Sequence, residues 1–138
     1  RGDIVVIQSS AADTRLVKRV VAIAGDTVSL SNNTLTVNDE HAVIQRRDHY
    51  VFQENIGDSQ RSIQLFPVQG ARSSFNEVVV PDKHVLVMGD NRNNSVDSRY
   101  YGFIPVEEVQ GRATRVAFSL DKENYYLPRG ERSLLALQ

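Results

Sequence analysis

The sequence predicts a mostly β fold of antiparallel sheets with very little helix. Three observations carry that expectation: the apolar runs are short, they are rich in valine and isoleucine, and turn-forming residues separate them at close intervals. "DIVVI", from Asp3, and "RLVKRVVAIAG", from Arg15, read as the first two strands. "DTVSL" and "TLTV" follow as a hairpin, because Asn32 and Asn33 between them tolerate the positive φ that a tight turn demands. "YVFQENIGDSQRSIQLF" reads as a longer hairpin turning at Gly57 and Asp58, and "EVVVP", "HVLVMG" and "ATRVAF" supply further strands. One segment, "IPVEEV", carries a helix start, since Pro105 suits a first helical position and acids follow it; about two turns is its limit.

A chain of 138 residues, 41% hydrophobic and 24% charged, suits one globular domain over residues 1–138. Residues 43–76 are more polar and are expected to form a smaller β-hairpin subdomain inserted into the main sheet. With 16 basic and 17 acidic residues the net charge is -1, which offers nucleic acid no field of one sign, so no nucleic-acid partner is expected.

The absence of cysteine removes disulfides, a thiolate nucleophile and a thiolate zinc site. His41, His49 and His84 are too far apart to form a helical metal pair, and neither a metal nor another cofactor is expected. A calcium loop starting at Asp90 fails, because its third, sixth and twelfth positions are Arg92, Ser95 and Tyr101. "NNS" and "NNT" match the glycosylation pattern but read as asparagine turns, and the "RGD" of Arg1 to Asp3 runs straight into a strand. No run approaches the ~18 apolar residues of a membrane span. The chain begins with Arg1 rather than methionine, and a segment upstream of it is expected.

Two places could carry chemistry. Along "RLVKRVVAIAGD", strand alternation sets Leu16, Lys18, Val20, Ala22 and Ala24 on one face and Val17, Arg19, Val21 and Ile23 on the other, so that neither face reads as a solvent face. Lys18 then has aliphatic and small neighbours, and such surroundings favour the neutral form of an amine. A free lysine, with a pKa of about 10.4, is neutral in roughly one molecule in two thousand at pH 7, whereas an amine shifted down by about three units can take a proton from a serine hydroxyl. The alternative is structural: a lysine at a strand edge whose stem lies along apolar surface while its ammonium reaches water.

The second place is "GDNRNNSVDSRYYG", residues 89–102, where a buried strand ends in a polar run. Gly89 would let another backbone or a long side chain approach closely. Asp90 with Arg92, and Asp97 with Arg99, could pin an irregular loop whose backbone lacks ladder partners. Ser95 stands between those pairs, and a hydroxyl fixed by such a loop could hydrogen-bond a neutral amine and orient it.

Taken together, "RGDIVVI" from Arg1, "VKRVVAIAGDTV" from Val17 and "GDNRNNSVDSRYYGFIP" from Gly89 resemble, in order and rough spacing, three blocks of the type I (bacterial) signal peptidase family. "GRATRVAFSLDK" is similar to the segment that follows them in Gram-negative members. The resemblance implies the signal-peptidase β fold and a membrane-bound serine endopeptidase with a serine and lysine dyad. Lys18 matches the general base and Ser95 the serine that orients it. Arg19 with Asp90, and Asp97 with Arg99, match charged pairs that support the site, and Gly89 matches the glycine packed beside the base. Arg15, Leu16 and Val17 match the strand that pairs with the substrate backbone. Ala22 and Ala24 stand where the family commonly has glycine and proline, and Tyr101 where tryptophan is frequent, which could alter substrate fit.

The family's nucleophilic serine belongs to a motif upstream of the "RGD" block, and neither Ser9 nor Ser10 has that context, so the chain is expected to be inactive alone. The resemblance further implies signal peptides of exported preproteins as substrates and an upstream anchor in the cytoplasmic (inner) membrane. It places the catalytic domain on the periplasmic or extracytoplasmic face. Two other readings of the same residues are a catalytically dead relative that binds signal peptides and a self-cleaving repressor-type peptidase on a related scaffold.

Overall fold

Alternating β-branched residues build the first strand, β1 (Ile4–Ser9), whose Val5 and Ile7 are buried while Gln8 stays exposed. It pairs with β2 (Thr14–Ile23), from Ile4 opposite Arg19 to Ser9 opposite Thr14. The computed structural model describes residues 1–115, 120–121, 127–128 and 136. All pairings between its strands are antiparallel. The predominance of antiparallel β structure agrees with the sequence expectation.

The first hairpin joins β3 (Thr27–Ser31) to β4 (Thr34–Val37), and Asn32 and Asn33 turn it at φ 48° and 66°. Two short strands follow, β5 (Glu40–His41) and β6 (Val43–Arg46). The second hairpin joins β7 (Val51–Ile56) to β8 (Ser59–Gln64) through Gly57, at φ 51°, and Asp58. After an irregular stretch come β9 (Phe75–Val79) and β10 (His84–Met88). The polar run holds a 3-10 turn at Arg92–Asn94 and one turn of helix, α1 (Ser98–Tyr101). The last elements that position the site are β11 (Ile104–Pro105) and β12 (Val109–Ala113).

These strands form a five-stranded sheet in the order β11-β10-β2-β1-β12, a four-stranded sheet β5-β4-β3-β9 and a three-stranded sheet β6-β7-β8. Of "ATRVAF", residues 116–118 lie outside the described residues. "IPVEEV" does not become a two-turn helix: Pro105 pairs with His84 in β11, and Val106–Glu108 make a single 3-10 turn before β12. Its β-branched valines favour strand, and the short span leaves no room for helix propagation.

β10 is buried on both faces. Leu86 and Met88 join Val28, Leu30, Leu35 and Val37 between the five- and four-stranded sheets, while Val85 and Val87 join Val5, Ile7 and Ile104 on the opposite face. Each such side chain, fully buried, contributes about 1.5–3 kcal/mol. A bulge interrupts the neighbouring strand: Val87 pairs with Val20 but Leu86 with Ala22. Val21 and Ala22 consequently both pack in the first cluster, and the strict alternation expected along β2 ends at Val20.

The other correction on β2 concerns exposure. Its ladder with β10 stops at Met88 opposite Arg19, so residues 14–18 have β1 along one edge and no strand along the other among the described residues. Val17 is 58% exposed for that reason, and Lys18 is half-buried rather than enclosed.

Candidate active site

The polar run is anchored at its start by two unrelated contacts. Gly89 and Asp90 follow directly on β10, and the Asp90 carbonyl accepts the Gln64 amide at 2.8 Å from the three-stranded sheet. The Asp90 carboxylate accepts both Arg19 Nε and Arg19 Nη2 at 2.8 Å, a two-pronged grip, while Arg19 Nη1 donates to the Gly2 carbonyl at 2.7 Å. Asp90 is therefore not the partner of Arg92. Arg92 lies one residue into the 3-10 turn and reaches Glu54 of β7 instead.

The end of the run is built around Asp97, which is fully buried. Arg99 donates from Nε to Oδ1 at 2.8 Å and from Nη2 to Oδ2 at 2.7 Å, and the Gly89 amide donates to Oδ2 at 2.9 Å. The same guanidinium donates to the carbonyls of Arg72, at 2.9 Å, and Arg92, at 2.5 Å. One arginine thus gathers the loop's stray carbonyls around one carboxylate, where no ladder could satisfy them. Burial pushes the Asp97 carboxyl up, but the hydrogen bond and charge of Arg99, with the Gly89 amide behind them, hold it below its ordinary value.

Gly89 is required by what lies on it. A Cβ there would meet Ser95 Cβ at 2.6 Å, so Ser95 occupies the space a side chain would need. Ser95 Oγ is buried without a hydrogen bond of ordinary geometry, and its nearness to Asp97 adds the smallest of the influences on that carboxyl. Lys18 stands next to Arg19 on β2, where the ladder with β10 ends at Met88 opposite Arg19.

The Lys18 side chain makes no hydrogen bond or ion pair among the described residues, and none joins it to Ser95. Of the other sequence candidates, Arg15 and Val17 are exposed and Leu16 is half-buried along the open edge of β2. The structure therefore gathers Arg19, Gly89, Asp90, Ser95, Asp97 and Arg99 around one loop, and Lys18 is the β2 residue directly before Arg19.

The sequence reading missed Glu54 and Arg61. Glu54 accepts Arg61 Nε at 2.5 Å and Arg92 Nη1 and Nη2 at 2.8 Å and 2.6 Å, with all three side chains buried. Burial pushes Glu54 up, yet the charges and hydrogen bonds of Arg92 and Arg61 hold it below its ordinary value. Their signal was available: a hairpin turning at Gly57 and Asp58 puts Glu54 opposite Arg61.

A third carboxyl, Asp26, is held well below the carboxylate range, first by Arg1, whose Nε donates at 2.6 Å, and then by the Ile23 amide and Asn38. These three lowered carboxyls set a pH dependence of stability. Each binds its proton more weakly folded than unfolded, so its contribution is complete above the unfolded value of about 4 and is lost as pH falls below it. The thermal unfolding midpoint of this chain, followed by circular dichroism, is expected to drop on acidification from about pH 5 to pH 3. A flat midpoint over that interval would contradict the assignment.

Residues 1–118 match the family model described as signal peptidase, peptidase S26. Signal peptidase I P of Bacillus subtilis subsp. natto is 34% identical over an alignment covering 88% of this chain and 61% of that protein. The probable signal peptidase I-2 of Synechocystis sp. is also 34% identical, over 82% of this chain and 45% of that protein. The chain thus spans between 45% and 61% of the length of these two relatives. The crystal structure of a signal peptidase I from Enterococcus faecalis V583 aligns with a TM-score of 0.54 at 26% identity, over 83% of this chain and 95% of that one.

Proposed function

This chain belongs to the type I signal peptidase family, and from that we propose that it forms the catalytic part of a serine endopeptidase that removes signal peptides from exported preproteins. In this reading Lys18 is the general base and Ser95 the group that orients it. The attacking serine comes from a segment preceding Arg1, because no serine of this chain stands in the family's nucleophile motif.

One observation supports the reading above the others. Ser95 packs directly on Gly89, and Lys18, half-buried and without a side-chain partner among the described residues, is the neighbour of Arg19, whose strand partner Met88 directly precedes that glycine.

In this reading the lysine acts as a base on the attacking serine. Lys18 takes the proton of the serine hydroxyl as that oxygen bonds to the scissile carbonyl carbon, giving a tetrahedral oxyanion. Collapse breaks the C–N bond, and the lysinium returns its proton to the leaving amine. Lys18 then removes a proton from water as the water's oxygen attacks the ester, which releases the signal peptide's carboxyl end and restores the serine. The open edge of β2 at residues 14–18 is where an extended signal peptide would add as a strand, over Arg15, Leu16 and Val17.

The described residues contain no helix long and apolar enough to cross a membrane. The proposed anchor in the cytoplasmic membrane, with this part on the extracytoplasmic face, belongs to the preceding segment. Tethering there would raise the effective concentration of substrates whose apolar segments lie in the same bilayer.

Ser95→Ala in the full-length protein tests the orienting role through an unusual pairing of effects. Preprotein cleavage is expected to fall by about 10–100-fold in kcat, since misorientation alone carries that magnitude. The unfolding midpoint should stay within a few degrees of the parent, because Ser95 is the weakest of the influences on Asp97. Parental kcat in this variant would remove Ser95 from the mechanism.

A further inference from the structure

We propose that Glu54 is a positioning residue for the active-site loop, acting through Arg92; this rests on the reading of Lys18 and Ser95 given above. Glu54 lies in the middle of β7, on a sheet separate from the strand that carries Lys18. It is 0% exposed, and its partners Arg61 and Arg92 are 4% and 1% exposed. One carboxylate therefore serves two buried guanidiniums, and Arg61 Nη2 and Arg92 Nε have no hydrogen-bond partner among the described residues. Such a cluster is a poor way to gain stability, because desolvating the charges costs as much as their attraction returns and apolar packing would serve at least as well. What a two-oxygen, two-nitrogen contact does supply is a fixed orientation.

The orientation it fixes is that of the loop. Arg92 opens the 3-10 turn that leads to Ser95, and two residues before it Asp90 grips Arg19, the neighbour of Lys18. The Arg92 side chain is held by Glu54, and its carbonyl is held by Arg99. The same sheet touches the loop twice more, through the Gln64 amide on the Asp90 carbonyl and through Asn93 Nδ2, which donates at 2.8 Å to the Phe66 carbonyl just beyond β8. The β6-β7-β8 sheet is thus a brace under the segment between Asp90 and Ser95. Without the Glu54 charge, two buried cations would repel each other at that point, and Arg92 would carry the turn with it.

Arg61 provides the internal control. It faces Glu54 across the hairpin but makes no hydrogen bond to the loop among the described residues, and its removal leaves a balanced one-to-one pair between Glu54 and Arg92. A merely structural cluster would make both members of the hairpin pair matter alike. A positioning role makes Glu54 and Arg92 matter for turnover and Arg61 matter little. Substrate binding along β2 is supported by β1 and should be spared in all of them.

The experiment measures preprotein cleavage by the full-length protein. Glu54→Gln should lower kcat by about 10–100-fold with KM within about threefold of the parent. Arg92→Lys, which keeps the charge and loses the two-nitrogen grip, should lower kcat in the same way, and it carries the test if Glu54→Gln does not fold. Arg61→Gln should keep kcat within about threefold. Amide exchange gives a readout independent of activity: the Asn94 amide, bonded to the Asn91 carbonyl at 3.1 Å, should exchange faster in Glu54→Gln and not in Arg61→Gln. Parental kcat in folded Glu54→Gln or Arg92→Lys, or an equal loss in Arg61→Gln, overturns the inference. Lys18→Met separates the two levels: if it stays active the reading of the site fails, whereas if it is inactive while Glu54→Gln is not, only the brace fails.

Discussion

Replacing Lys18 with methionine in the full-length protein is expected to lower kcat for preprotein cleavage by about 10²–10⁴-fold, the range that a positioned general base contributes. Methionine keeps a long unbranched stem while the amine is removed. Lys18 makes no ion pair among the described residues, and its loss should therefore leave the unfolding midpoint within a few degrees of the parent. Activity lost with the fold intact would mark a chemical role. The same loss accompanied by unfolding would mark a structural one, and retained activity would remove the lysine from the mechanism. Arg19→Met, one position along the strand, offers the contrast: it strands the Asp90 carboxylate and takes away the bond to Gly2, so its effect should register in stability as well as in rate.

Asp97→Ala carries the largest expected cost to the fold. The carboxylate is 0% exposed and holds both prongs of Arg99 and the Gly89 amide. Removing one partner of such a pair leaves a buried charge uncompensated, which typically costs about 3–5 kcal/mol. Because Arg99 keeps its bonds to the carbonyls of Arg72 and Arg92, the lower end of that range is expected. That corresponds to a drop in unfolding midpoint of roughly 10 °C for a chain of this length, measurable by calorimetry. The variant should also lose part of the acid sensitivity of the parent, since Asp97 is one of its three lowered carboxyls. A midpoint within about two degrees of the parent would show that Arg99 is satisfied by carbonyls alone.

The sequence made the turns and most strands legible for local reasons. Asn32 and Asn33, and Gly57 with Asp58, announce positive φ wherever they stand, and the valine-rich runs between them have no helical alternative. It was less informative where tertiary contacts decide. The alternation along β2 breaks at a bulge that depends on its pairing with β10, and Val17 is exposed because that pairing ends at Met88. The odd composition of the polar run marked it as a candidate site, yet which acid meets which base was not local. Asp90 reaches back 71 residues to Arg19, and Arg92 reaches back 38 residues to Glu54. The hairpin register sets Glu54 opposite Arg61, but no local signal marks that pair as buried.

The distance between Lys18 Nζ and Ser95 Oγ in an experimental structure of the full-length protein tests the proposed chemistry most directly. With the attacking serine in place, the two atoms should lie about 3 Å apart, in hydrogen-bonding geometry over Gly89. A lysine whose amine points into solvent, farther from that hydroxyl than one bridging water could span, would contradict it.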